Sequence, residues 1–305
     1  MTTARLMGMV AALVLPLAGW ATGADDVERV AEMKLLAGRL KYQTGQIHLR
    51  DGLATISLTD SFRYLDPAGT DTLLTGIWGN PPARGKTLGA ITPADFSPFD
   101  DDGWCVVLSY DEDGHVNDDD AAKIDYTDLL KTMQQSTREA SQQRVKDGYP
   151  PIALVGWATK PSYERTTHKF YWAKEIKFGD GKDGNTLNYN LRILGRGGVL
   201  VLNVVAGMAE LHRVEAAVPD LLGMVDFNPG QRYADFTPGT DKLATYGLAA
   251  LVAGGVAAKS GLLKGLFVAL LAMKKFVLMG AVALFAFLKR FFAGRTSEGS
   301  VDQGQ

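Results

Sequence analysis

Between residues 152 and 206 apolar and polar positions alternate with a period of two. In 168–178 the even positions His168, Phe170, Trp172, Ile176 and Phe178 are mainly apolar, and Thr167, Lys169, Tyr171, Glu175 and Lys177 are mainly polar. That is the pattern of a half-buried strand. Leu187, Tyr189, Leu191 and Ile193 alternate in the same way, and 199–206 is apolar in both phases except at Asn203, which places this last strand mid-sheet. With 152–159 as the first strand and glycine-rich turns at 179–184 and 195–198, the spacing predicts a four-strand antiparallel meander over 152–206.

Elsewhere the period is mixed. Ile47 and Leu49, then Leu53, Ile56 and Leu58, flank Asp51-Gly52 and predict an N-terminal hairpin. Residues 104–110 form an apolar run suited to a buried strand. Helical spacing marks 27–37, 121–146 (Ile124, Leu129 or Leu130, Met133, Val145) and 208–224 (Leu211, Val214, Val218, Leu222). A short helix over 67–78 begins at a proline and stops at Gly79-Asn80-Pro81-Pro82. Residues 83–102 and 227–237 are expected to be loops. Strands and helices segregated in this way imply an α+β domain, its antiparallel sheet (the meander plus the N-terminal hairpin) packed with helices.

The two ends differ from the middle. Residues 1–23 carry Arg5, an apolar run over 6–18 and small residues at 21–23, the layout of a secretory signal peptide. An exported domain is expected over 24–240, a membrane-anchoring helical region over 243–292 and a polar tail over 293–305. Residues 243–258 hold 16 uncharged positions, about 24 Å as a helix, against a hydrocarbon core of about 30 Å. After a break at 259–261, residues 262–292 carry a basic stripe of Lys264, Lys275 and Lys289. One topology is a helical hairpin. The other is a single span followed by an interfacial helix with its lysines toward anionic headgroups, and it satisfies the positive-inside rule.

Charge follows the same division. Residues 25–242 hold 24 of the 32 basic and 32 of the 34 acidic residues, a net −8, whereas 243–297 has seven basic residues and no acid. An acidic domain beside a basic apolar tail argues against nucleic acid and for a lipid bilayer. The single cysteine, Cys105, excludes an intramolecular disulfide.

Several stretches resemble the DUF2167 family of bacterial membrane-anchored proteins. They are Trp78-Gly79-Asn80-Pro81-Pro82, Val116-Asn117-Asp118-Asp119-Asp120-Ala121 with Ile124-Asp125-Tyr126, Leu154-Val155-Gly156-Trp157-Ala158, Tyr171-Trp172-Ala173-Lys174, Leu187-Asn188-Tyr189-Asn190, Leu194-Gly195-Arg196, and Val252-Ala253-Gly254-Gly255-Val256-Ala257-Ala258-Lys259. The resemblance implies export and anchorage in a bacterial inner membrane with the domain on the periplasmic side. It implies no activity and carries no catalytic residues.

Candidate chemistry is sparse. Aligned on Gly114, the acidic turn 109–120 places Asp111, Asp113, Asn117 and Asp120 at positions three, five, nine and twelve of a calcium loop, but Ser109 stands at position one and Asp120 replaces the bidentate Glu. The competing reading is a solvated turn in which Asp118–Asp120 cap the following helix. Trp157, Tyr163, Tyr171 and Trp172 bring aromatics together on neighbouring strands, as a binding groove or as core packing. Cys105 with one of His48, His115, His168 or His212 would be a thiol–imidazole pair, but it lies in an apolar run, where cysteine acts as a small hydrophobe. His168, on the apolar face of its strand, reads as a satisfied core histidine. No cofactor is expected. The resulting expectation is a non-enzymatic envelope domain that binds a protein partner or self-associates in the membrane. A small-ligand or calcium sensor is the alternative, and an envelope hydrolase has the least support.

Overall fold

The computed structural model describes residues 24–80, 87–100, 102–146, 150–181 and 184–253. Helix α1 (Ala24–Ala37) leads through β1 (Tyr42–Gln43) into the hairpin β2 (Gln46–Leu49) and β3 (Ala54–Ser57), then β4 (Phe62–Leu65). The hairpin turn works because Arg50, Asp51 and Gly52 take φ values of 38°, 48° and 85°, left-handed geometry that Asp-Gly tolerates. Helix α2 (Pro67–Asp71) starts on its proline, with the Asp66 carboxylate accepting the Gly69 N–H at 2.7 Å, and runs on into a π-helical turn, Thr72–Ile77. Then come β5 (Gly89–Pro93), β6 (Cys105–Asp111), a 3₁₀ turn (Ala121–Lys123), α3 (Tyr126–Lys146), β7 (Ile152–Glu164), β8 (Lys169–Phe178), β9 (Thr186–Leu194), β10 (Val199–Gly207), α4 (Leu211–Met224), β11 (Val225–Phe227) and α5 (Leu248–Ala253).

The class is α+β, as expected. An eight-stranded sheet has the order β1-β4-β5-β6-β10-β9-β8-β7, antiparallel throughout. The meander forms one half, and β10 lies mid-sheet between β6 and β9. β7 is an edge strand that runs past Pro161 with register shifts, which an edge tolerates because its outer N–H groups need no ladder partner. The expectation that the hairpin joins this sheet is corrected: β2 and β3 form a separate three-stranded sheet with β11. Likewise 89–93, expected to be loop, is a fully buried strand. Its five residues are too few to show a period.

Strand alternation sorts the core onto two faces. On one, Val106, Leu108, Leu191, Leu200, Leu202 and Tyr189 pack against α4 (Val214, Val218, Leu221) and against the small sheet (Ile47, Ile56, Phe227). On the other face two separate clusters form. Phe170, Trp172, Val199 and Val201 pack under α3 and α5, including Leu248, Leu251 and Val252. Cys105 and Val205 pack under the π-helical turn through Leu73, Leu74 and Ile77.

This arrangement corrects the start of the expected membrane region. Leu248, Leu251 and Val252 are 0%, 4% and 1% exposed, and α5 is part of the domain core. Among the described residues no helix is long and apolar enough to cross a membrane. The signal peptide 1–23, the rest of the expected anchor, its Lys264, Lys275 and Lys289 stripe, and the polar tail 293–305 lie outside the described residues.

Candidate functional site

The acidic turn after β6 distributes its side chains to separate tasks. Asp111 sits in the field of Arg192, and burial pushes its carboxyl up to about 6. Asp113 accepts the Tyr246 hydroxyl at 2.7 Å. Asn117 bonds Asp119 twice, its Nδ2 donating at 2.8 Å and its Oδ1 accepting the Asp119 N–H at 2.7 Å. Asp120 accepts the N–H groups of Leu248 and Ala249 at 3.2 Å each. Among the described residues no three His, Cys, Asp or Glu groups are placed to hold a metal ion. The capping expectation is corrected in its detail. The α3 terminus is served by Asp125, which accepts from Thr127 and Asp128 at 2.8 and 3.1 Å, while Asp120 caps α5.

His168 is not on the apolar face of a strand. It precedes β8 with φ 53°, and its ring begins a ladder of four. His168 stacks on Tyr233 at 3.9 Å, Tyr233 meets His115 tilted by 35° at 4.1 Å, and His115 stacks on Phe236 at 4.0 Å. Asp118 holds one end, accepting the Tyr163 hydroxyl at 2.8 Å and lying 3.6 Å from His168 Nδ1. The Tyr163 oxygen is 3.0 Å from the same Nδ1. Its one proton goes to Asp118, so the imidazole supplies the proton between them. Burial lowers the pKa of both histidines and raises those of Tyr163 and Tyr233. With the two-pronged Arg196–Asp241 pair at 2.7 and 2.9 Å, this ladder fastens the segment 228–246 onto the sheet end and delivers α5 to its place.

The four aromatic candidates do not form one groove. Trp157, Tyr163 and Trp172 belong to the α3/α5 side, whereas Tyr171 points through the sheet to the α4 side, since neighbouring strand residues face opposite ways. Trp157 donates to the Tyr126 carbonyl at 3.2 Å and edges a shallow groove of about 460 Å³ with Ile124 and Lys160. Trp172 is 1% exposed. Cys105 is buried, and burial pushes its thiol up to about 12, far from the thiolate that nucleophilic chemistry requires.

The feature that sequence reasoning missed lies between the two clusters of the α3/α5 face. The ladder registers put Ser109, Val201 and Arg192 in one row, Val107, Asn203, Asn190 and Trp172 in the next, and Val205, Asn188 and Lys174 in the third. A polar strip therefore crosses the central strands. Arg192 and Asn190 are fully buried; Ser109, Asn203, Asn188 and Lys174 are partly exposed. The Arg192 guanidinium lies 5.2 Å from the Trp172 ring centroid and donates to Asn203 Oδ1 at 3.3 Å and Asn190 Oδ1 at 3.1 Å. Asn190 Nδ2 in turn donates to the Asn188 carbonyl and Oδ1 at 3.0 and 2.8 Å. Burial, then the Arg192 charge, brings the Lys174 ammonium down to about 8. Asn203 alone in an apolar strand, with Asn188, Asn190 and Arg192 in one phase of β9, was the available signal. Alternation alone does not tell such a phase from the solvent face of a half-buried strand.

A family model described as a protein of unknown function, DUF2167, matches residues 41–285. No curated protein matches the chain. Among solved structures it is similar to the solution structure of cyanobacterial PsbP (CyanoP) from Synechocystis sp. PCC 6803, at 12% identity and a TM-score of 0.33, over 69% of this chain and 98% of that one.

Proposed function

The chain belongs to the DUF2167 family, and from that premise we propose that it is a ligand-binding domain of the bacterial envelope, with the polar strip as its binding surface. In this reading the domain stands on the periplasmic side of the inner membrane, held there by the part of 243–292 that follows α5. The observation that carries it is the strip itself. Polar side chains interrupt an otherwise apolar sheet face between two packed clusters. Polar groups in such a place cost stability unless they are hydrogen-bonded or serve a partner. The cluster under α3 and α5 borders the strip on one side and the cluster under the π-helical turn on the other, which suits a small ligand better than a flat protein surface. Trp172, Lys174, Asn188 and Asn190 also fall in the stretches that carry the family likeness. The protein partner expected from the sequence is the competing occupant.

The test is a thermal-shift measurement on the full chain in detergent, with a periplasmic extract split by ultrafiltration. A ligand that binds only the native state raises the melting temperature. A rise with the filtrate, absent in Lys174→Met, supports the reading. A rise with the protein fraction alone replaces the small ligand with a protein partner, and no rise with either overturns the binding role.

A further inference from the structure

We propose that Lys174 and Asn188 form an anion-recognising pair in the strip and hold a carboxylate or phosphate group of its ligand. The inference rests on the strip being the binding surface, where the direction of each hydrogen bond is set by its donor. A guanidinium only donates, so Asn190 meets Arg192 with its Oδ1. The Asn190 amide nitrogen must then point the other way, and it donates to the Asn188 carbonyl and Oδ1. Asn188 in turn has its oxygen toward Asn190 and its NH₂ directed outward. The assignment of both amides follows from the chain of donors and leaves no freedom to flip either one.

That outward Nδ2 has no partner among the described residues, and Lys174 has no hydrogen bond or ion pair there either. The two residues sit directly opposite each other on β9 and β8, where paired side chains start about 4.5–5.5 Å apart. Both are partly exposed. Two donor groups, one of them charged, thus stand side by side at the end of a relay that begins at a buried guanidinium. The Arg192 charge reaches Lys174 and makes the local potential more positive, while Asp111 acts on Arg192 from the other end of the strip. A partly buried ammonium with no counter-charge is the costly arrangement, and an anion seated against Nζ and Nδ2 completes it. A neutral or cationic group would leave that charge uncompensated.

Competitive acetylation with acetic anhydride at pH 8, read peptide by peptide by mass spectrometry on the full chain in neutral detergent, tests the pair. Three probes are used: inorganic phosphate, succinate, and phosphatidylglycerol added to the detergent micelles. A bound anion favours the unreactive ammonium form of Lys174, which takes its proton from solvent, and covers it, so at a few times the dissociation constant its labelling falls about fivefold, while the exposed Lys131 is unaffected. Protection by phosphate or succinate identifies a soluble anion, and protection by phosphatidylglycerol micelles alone identifies a lipid headgroup. In Asn188→Asp the bond from Asn190 survives but the outward donor becomes an acceptor, and protection is lost. No protection of Lys174 by any probe, or equal protection in Asn188→Asp, overturns the pair. If the filtrate still raises the melting temperature in that case, the strip remains a binding surface and only its anion chemistry falls.

Discussion

The carboxylate of Asp120 caps the helix that begins at Leu248, accepting that residue's N–H across 128 positions of sequence at 3.2 Å. A second bond goes to Ala249. The turn after β6 thereby fixes where α5 starts, and Gly247 makes the approach possible: a Cβ there would lie 2.7 Å from Asp120 Oδ2.

Asp120→Ala should lower stability by about 1 kcal/mol, the usual cost of losing an N-cap acceptor. Gly247→Ala should cost a similar amount in the wild-type background, because its methyl displaces the carboxylate. With both changes the costs should fall short of additive by about 0.5 kcal/mol or more, since removing the carboxylate removes the clash. Urea unfolding of the four proteins provides the cycle.

The core position of α5 predicts where the domain ends. Leu248→Ala should cost about 2–5 kcal/mol, the range for truncating a buried leucine. A chain that stops at residue 253 should unfold cooperatively, and one that stops at 240 should melt at lower temperature with a shallower transition. Equal melting of the two truncations would return 243–253 to the membrane region.

Lys174→Met should stabilise the free domain, because it removes a partly buried ammonium that lacks a counter-charge. A gain of about 1 kcal/mol corresponds to roughly 2–4 °C in a domain of this size. Residues that serve a ligand commonly carry such a stability cost. Differential scanning calorimetry at pH 7 measures it, and a loss of stability would mean that Lys174 serves the fold.

The two ladder histidines make stability depend on pH. Burial lowers their pKa in the folded state, so below the unfolded value of about 6.5 the unfolded chain takes up protons first. Stability should be full above that value and fall as pH drops through it. Asp111 works in the opposite sense: its carboxyl, pushed up to about 6, gains a proton in the folded state before the unfolded one. Asp111→Asn should therefore steepen the loss between pH 6.5 and 4, and His115→Gln should flatten it. Urea midpoints across this range give both slopes.

The likeness of each element to its local pattern varied with its length and exposure. The meander, the Asp-Gly hairpin, α3 and α4 were legible because many residues repeat one period. β5, with five buried residues, offered no alternation to read, and β11 is shorter still. Of the candidate residues, Asp113 and Asp120 were visible only as acids in a turn, because their partners, Tyr246 and Leu248, lie over 120 residues away. The strip was hidden for a related reason. Polar residues in one phase of a strand look alike whether they face water or a gap between two cores.

By itself the sequence determined the α+β class, the central position of β10, the separation of an acidic domain from a basic apolar tail, and the family. Those follow from periodicity and composition, which are local quantities. Only the tertiary structure decided that β2 and β3 pair with β11, that Asp120 serves α5, and that Asn188 and Lys174 share a face. It also decided that residues 248–253 fill a protein core. An uncharged run of that kind has the same composition under a helix layer as in a bilayer, and what covers it depends on contacts that no local pattern encodes.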